Sequence, residues 1–321
     1  MNNSKTGAAP LAAITAVIVL LSSFFWGIFY PDYMKSAETA ADIPGLDEAF
    51  VPQGSTYFAE EETYVFCGYM SDDTPSRIYT VRGEDVKKII LEREDGSEYK
   101  GHAGGITCAG EFVYISNASK LFIMKKSDIT QADDGGTVRF IGSVPVPCNS
   151  SFCSCDGKTL YVGEYHADGY ETDESHRLKN PDGSEYQALV FGYAIDSDSE
   201  FGIYMTAPVA VWSVCDKVQG FAAAPEGRAV LSVSGGSLNS ELKIYTISGE
   251  PDGEFDSAGL KIPLYYLDSN RDSGKITLPR MSEDLECVDG RILVAYEAGA
   301  KKFISRILPF AEKRAVLISV D

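Results

Sequence analysis

Gly101-His-Ala-Gly-Gly-Ile-Thr-Cys-Ala-Gly-Glu-Phe-Val-Tyr-Ile-Ser116 reads as a β-hairpin. A short apolar strand starts at Gly105, the chain turns at Ala109-Gly-Glu111, and a more apolar strand follows at Phe112-Val-Tyr-Ile115. The same phrase recurs at Gln53–Phe58 with Thr63–Phe66, at Ser151–Gly157 with Thr159–Val162, at Gln219–Gly227 with Ala229–Val233, and at Asp284–Gly290 with Ile292–Ala295. Five copies of one hairpin, with no sustained helical period between them, define an all-β repeat architecture and predict a five-bladed β-propeller.

Each repeat is read as four strands running outward from the axis. The predicted strands are 51–59, 63–70, 76–82 and 86–92; 104–109, 111–116, 119–126 and 137–144; 150–155, 158–165, 187–195 and 205–214; 218–224, 228–234, 240–247 and 261–267; and 284–288, 291–297, 302–308 and 314–320. The second strand of each set is the most continuously apolar, as a strand buried on both faces must be. No closing strand from the other terminus stands out, although Ala49-Phe-Val51 is placed to serve.

Ahead of the repeats, Ala8 to Tyr30 carries no charged side chain and is long enough to cross a bilayer as a helix. Bulky Phe24-Phe25-Trp26 follows the apolar core where a cleaved signal would show small residues, so residues 1–31 are read as an uncleaved signal anchor. Trp26, Phe29 and Tyr30 suit the membrane interface, and Lys5 favours a cytoplasmic N-terminus. Residues 32–50 have the composition of a linker, leaving 51–321 as the propeller. The chain is thus expected at the cell membrane as a single-pass protein, with its propeller on the extracytoplasmic side.

The net charge is −19, and Lys5 is the only charge in the first 31 residues, so the remainder carries about −20. Such a surface repels nucleic acid and anionic lipid and favours cations or basic partners. Only Trp212 lies beyond the anchor, and no basic patch interleaves with aromatics, so a nucleic-acid role is excluded. Seven cysteines, an odd number, lie at 67, 108, 148, 153, 155, 215 and 287 without a Cys-x-x-Cys pair. Cys108, Cys153, Cys155 and Cys287 fall in inner strands, where a free thiol packs as a small apolar group.

In an antiparallel blade the start of the first strand and the end of the second share one face. Those ends gather Gln53, His102, Glu164, His166, Gln219, Glu283 and Glu297 around the axis, a polar cluster suited to the mouth of a ligand pocket. Gly54, Gly104-Gly105 and Gly220 stand at the same places, where glycine permits a tight turn or close approach. Glu164, Glu283 and Glu297 are the candidate ligands for Ca²⁺ or Mg²⁺, with His102 as acid or base. No calcium loop of alternating aspartates and no Gly-x-Ser-x-Gly elbow is present. The 166–187 insertion would overhang this face as a binding loop.

Asp42-Ile-Pro-Gly-Leu46, Phe50-Val-Pro-Gln-Gly54, Ser76-Arg-Ile-Tyr79, Gly101-His-Ala-Gly-Gly105, Val162-Gly-Glu-Tyr165, Lys217-Val-Gln-Gly220 and Met281-Ser-Glu-Asp284 with Tyr296-Glu297 resemble a group of exported bacterial β-propeller proteins that has no settled activity. The final hairpin is more loosely similar to those of phytase-like propellers. The resemblance implies the fold and export. The leading functional expectation is binding of a small molecule or envelope component at the acidic mouth. A divalent-metal-dependent phosphoester or ester hydrolase, and a scaffold capturing a protein partner through 166–187, are the alternatives.

Overall fold

The structure is a computed structural model that describes residues 25–236, 238–304 and 311–320. Among the described residues five mainly antiparallel sheets surround one axis, which makes the molecule an all-β five-bladed propeller. Blade one is Phe50–Phe58, Thr63–Met70, Arg77–Arg82 and Asp85–Glu92, and blade two is Gly105–Ala109, Phe112–Asn117, Lys120–Lys125 and Gly142–Pro145. Blade three is Phe152–Cys155, Thr159–Gly163, Ala188–Ala194 and Ala210–Val214; blade four is Val218–Ala224, Arg228–Val233, Ser240–Thr246 and Asp272–Leu278. Blade five takes Ser282–Val288, Arg291–Tyr296 and Arg314–Ile318 from the end of the chain and its outermost strand, Ala37–Asp42, from the beginning.

That outermost strand corrects two expectations. Residues 32–50 are no free linker, and the closing strand is Ala37–Asp42 in place of Ala49-Phe-Val51. Its residues Ala37 to Asp42 pair antiparallel with Ile318 to Arg314. Its small polar side chains are mostly solvent-facing, so backbone hydrogen bonds rather than an apolar face hold it, and it covers an edge that would otherwise stay open. The short helix before it, Pro31–Ser36, is pinned by two aromatics. Tyr30 and Tyr33 are buried with Leu242, Leu278 and Tyr296 between blades four and five. Their hydroxyls donate to Asn239 Oδ1 at 2.9 Å and to Glu312 Oε2 at 2.8 Å. Tyr30 therefore belongs to the propeller core and not to a membrane interface. The rest of the predicted anchor, residues 1–24, lies outside the described residues, and among the described residues no helix is long and apolar enough to cross a membrane.

The first three strands of blades one to four fall close to their predicted positions, whereas several outer strands do not. The predicted strand 137–144 is split: Thr137–Arg139 runs parallel to Asp85–Glu92 at the edge of blade one, and Gly142–Pro145 completes blade two. The predicted strand 261–267 forms as Leu260–Tyr266 but pairs parallel with Ala210–Val214 of blade three, and Gly253–Ser257 pairs beside it. Blade four instead takes Asp272–Leu278, which the sequence reading left unassigned. In blade five, 302–304 are not in a strand, 305–308 lie outside the described residues, and the third strand is Arg314–Ile318.

Five apolar clusters fill the wedges between neighbouring blades, so the core is a ring and not one central mass. The wedge between blades five and one contains Ala41 of the closing strand beside Phe50, Phe66, Leu293 and Leu317. A methyl such as that of Ala41 is worth only about 0.8 kcal/mol when buried, so the closing strand adds little to this wedge and acts chiefly by completing the sheet. All seven cysteines are free, and five are buried. Burial pushes the inner thiols of Cys67 and Cys153 well above the ordinary value, which keeps them unreactive.

At the axis the inner strands approach to backbone contact, and Phe152–Cys155 meets Ser282–Val288 across it. A methyl on Gly105 would sit 2.5 Å from Asp284 Oδ2 and 2.6 Å from the Cys153 amide; one on Gly54 would sit 2.8 Å from Gly105 Cα. These glycines serve strand-to-strand approach, which settles the choice between a tight turn and room for a ligand. Gly105→Ala is accordingly expected to lower the unfolding free energy by about 1–3 kcal/mol. Gly253→Ala, whose added methyl meets nothing within 4 Å, should change it by less than about 0.5 kcal/mol. Denaturant titration of the two variants compares them, and equal effects would refute axial crowding.

Candidate ligand-binding mouth

Three inner strands carry a register break near their first residues. In blade one it falls between Pro52 and Gly54, in blade four between Val218 and Gly220, and in blade five between Ser282 and Leu285. The residues left without a cross-strand partner are Gln53, Gln219, and Glu283 with Asp284. A bulge re-aims the side chain it releases, and here the released side chains turn toward the axis. In blades two to five a non-glycine residue with positive φ stands just before the inner strand: Ala103, Ser150, Lys217 and Met281. Four such residues at one end of the ring mark a locally strained rim.

The rim encloses a cavity of about 630 Å³ lined by Gln53, Tyr69, His102, Gln219, Glu297 and Lys302, among others. Four of the seven sequence-derived candidates, Gln53, His102, Gln219 and Glu297, therefore line one cavity. Glu283 lies buried beside Glu297. The Gln53 amide donates to Glu297 Oε2 at 3.0 Å and to its neighbour's carbonyl, Pro52 O, at 2.9 Å. Gln219 is half-buried and makes no side-chain hydrogen bond among the described residues, leaving its amide open to the cavity.

Glu283 and Glu297 form a coupled pair. Burial raises Glu283 well above the ordinary carboxyl value, and the neighbouring Glu297 and Asp284 charges raise it further. Burial also pushes Glu297 up to about 7, offset by the Gln53 amide, the Lys302 ammonium and the hydrogen bond from Glu283. Glu283 thus keeps its proton and donates it toward Glu297, as two close carboxyls that cannot both ionise must. Its Oε1 has no hydrogen-bond partner among the described residues.

Across the mouth the His102 ring stacks on Tyr69, centroids 4.7 Å apart and planes at 21°. Lys302 Nζ lies 2.6 Å from the Tyr69 hydroxyl and 4.8 Å from the ring centroid. Desolvation, followed by the Lys302 ammonium, lowers the His102 pKa. Solvent still reaches the residue and limits that shift.

Glu164 and His166 do not join this group. Glu164 is 1% exposed and is not among the residues lining the mouth: its Oε1 meets His176 Nδ1 at 2.8 Å and accepts the Leu189 amide at 3.1 Å, and its Oε2 accepts the Asn149 amide at 3.4 Å. His166 Nδ1 lies 3.0 Å from Asp216 Oδ1. Through His176 the 166–187 segment is pinned to blade three, and Asp182 ties it to Ser269 and Asp268. It is a folded flap, with Tyr170 supplying one wall of the mouth. With Glu164 withdrawn, the expected trio of metal ligands Glu164, Glu283 and Glu297 is not assembled. Among the described residues no three His, Cys, Asp or Glu side chains gather into a cation site.

Sequence reasoning missed Tyr165, Lys302 and Phe303 as lining residues. Tyr165 follows Glu164 directly, and an error of one residue exchanges the two faces of a strand end. Lys302 and Phe303 follow the second strand of blade five, so carrying the strand-end rule into the succeeding loop would have found them.

The sequence matches no protein-family model and no curated protein. Among solved structures, the chain is similar to the PQQ-bound aldose sugar dehydrogenase of Streptomyces coelicolor, at 13% identity and a TM-score of 0.47 over 88% of this chain and 97% of that one. It is also similar to Kuenenia stuttgartiensis hydrazine synthase, at 15% identity and a TM-score of 0.37 over 79% of this chain and 58% of that one. At such identities the likeness concerns fold alone, and no residue role passes from either protein.

The carboxyl pair makes stability pH-dependent. Between the ordinary value of 4.5 and about 7, folded Glu297 keeps a proton that the unfolded chain releases. Unfolding free energy therefore falls as pH rises through that window, by at most about 1.4 kcal/mol per unit. Glu297→Gln should reduce the loss measured by denaturant unfolding at pH 5 and pH 7. Glu283 and Glu286 contribute with the same sign, so part of the slope remains. An identical slope in both proteins would contradict a shared proton.

Proposed function

We propose that the propeller is a binding module that takes an uncharged, hydroxyl-rich small molecule, such as a saccharide of the cell envelope, in the mouth at the bulged ends of its inner strands. The observation that carries this reading is the composition of the cavity. Aromatic side chains Tyr69, Tyr165, Tyr170 and Phe303 stand among the amides of Gln53, Gln219, Asn117 and Asn149 and the hydroxyls of Ser150, Ser151 and Ser234. Aromatic walls with a few convergent polar groups suit a ligand that presents both C–H faces and hydroxyls. The charges of the mouth are largely met internally: Glu297 by Gln53 and the Glu283 proton, Lys302 by Tyr69. A neutral ligand then leaves no buried charge unpaired. The acidity expected of the mouth is correspondingly muted, and binding requires no catalysis.

N,N′-diacetylchitobiose is a suitable probe, titrated calorimetrically into the purified chain. The expected result is saturable binding that weakens about tenfold or more in Tyr69→Ala and in Gln219→Ala, each removing one wall or one open amide. Absence of binding, or binding by both variants as tight as by the unaltered protein, would refute the mouth as a saccharide site.

Membrane tethering on the extracytoplasmic side belongs to the same proposal, carried by the apolar run ahead of Trp26. Since Tyr30 and Tyr33 are held in the propeller, the domain would stand directly on the bilayer without a long stalk. Carbonate-resistant membrane association, with digestion of the propeller by protease added outside intact cells after removal of any outer barrier, is the expected outcome. Recovery in the soluble cytoplasmic fraction would overturn it.

A further inference from the structure

The opposite end of the axis holds a second cavity, of about 540 Å³, that the mouth does not account for. The two are separated where the inner strands touch and the Asp284 carboxylate sits against the amide of Ile106. The lower cavity is lined by three acids, Asp156, Glu286 and Asp289, and by no lysine or arginine. Two of these acids differ in what they have left to offer. Asp156 is occupied: Oδ1 accepts the amides of Lys158 and Thr159 at 2.8 and 2.7 Å, and Oδ2 accepts the Tyr161 hydroxyl at 2.9 Å. Glu286, 6% exposed, takes the Cys155 amide at 3.3 Å on Oε1, and the Thr107 and Thr56 hydroxyls lie beside the carboxyl and favour its ionised form, while Oε2 meets no partner in hydrogen-bond geometry among the described residues. A buried carboxyl oxygen without a partner is costly unless something else satisfies it.

We propose that this lower cavity is a second binding site, for a small alkyl mono- or diammonium ion, with Glu286 as its counter-ion. The walls around the carboxyl are Cys108, Cys155, Cys287, Ala223 and Val288, thiols and alkyl groups that suit methylenes and offer few oxygen donors. A bare Ca²⁺ or Mg²⁺ ion requires about six oxygens and Zn²⁺ about four converging nitrogen or sulfur ligands, whereas no three ligating side chains gather there among the described residues. An ammonium ion brings up to three N–H donors on a carbon chain, so one carboxylate and a polar rim suffice to hold it. Burial pushes Glu286 up to about 8, and an arriving cation favours its ionised form. The inference does not depend on what the mouth binds.

Titration of putrescine into the purified full chain tests it, with butane-1,4-diol as the uncharged match. The expected result is saturable binding of putrescine and none of the diol, weakened about tenfold or more in Glu286→Gln and changed less than about twofold in Glu297→Gln. Circular dichroism checks that both variants fold. Should Glu286→Gln fail to fold, alkylation of Cys287 in the unaltered protein replaces it: putrescine should slow the labelling, read by mass spectrometry, and the diol should not. Failure of putrescine to bind at millimolar concentration, equal binding by Glu286→Gln, loss of binding in Glu297→Gln, or unchanged Cys287 labelling overturns the proposal.

Discussion

Asp284 occupies the point where the inner strands of the ring come together. One oxygen accepts the Ile106 amide of blade two at 3.1 Å, the other the following Leu285 amide at 3.0 Å, and the Cys153 amide of blade three also favours its ionised form. Burial and the Glu286 charge oppose ionisation and raise its pKa, so these amides are what make a carboxyl tolerable on the axis. The space for it exists because Gly105 and Gly220 carry no side chain, while Gly54 lets blade one approach Gly105 and Ile106. A five-bladed ring is narrow, and with one acid lying over backbone glycines its bore is closed partway along.

That closure has a functional consequence. A bore blocked at the middle becomes two shallow cavities with separate linings, one at the bulged strand ends and one beside Glu286. Along Ser282–Val288, Glu283 serves the first, Asp284 forms the barrier and Glu286 serves the second. A single strand thereby sets the polarity of both ends. Bulges in blades one, four and five give the mouth the amides of Gln53 and Gln219 and the Glu283 member of its carboxyl pair, the usual way for a sheet to offer side chains that its ladder does not consume.

The hairpins that build the inner half of each blade were legible because they are buried on both faces and leave a continuous apolar signature, as in Phe112-Val-Tyr-Ile115. Outer strands were less legible. Ala37–Asp42 is made of residues with little preference for extended structure, and only its partners' open edge makes it a strand. Asp272–Leu278 alternates weakly, while the more apolar Leu260–Tyr266 was recruited by the neighbouring blade, a tertiary choice that local pattern does not encode. At the mouth, the antiparallel strand-end rule gathered Gln53, His102, Gln219 and Glu297, which the fold brings to the lining of one cavity, with Glu283 buried beside Glu297. It failed at Glu164 because the end of Thr159–Gly163 offers two adjacent residues to two different faces, and only the buried partner His176 decides between them.

The central claim is that the Asp284 carboxyl seals the axis by holding backbone amides of other blades. Residue-resolved hydrogen exchange of the native chain and of Asp284→Ala tests it most directly. The account predicts that the Ile106 and Cys153 amides are among the slowest to exchange in the native chain and lose protection selectively in the variant, while outer-strand amides such as Leu317 are little changed. Fast exchange at Ile106 in the native chain, or protection there that survives removal of the carboxyl, would contradict it.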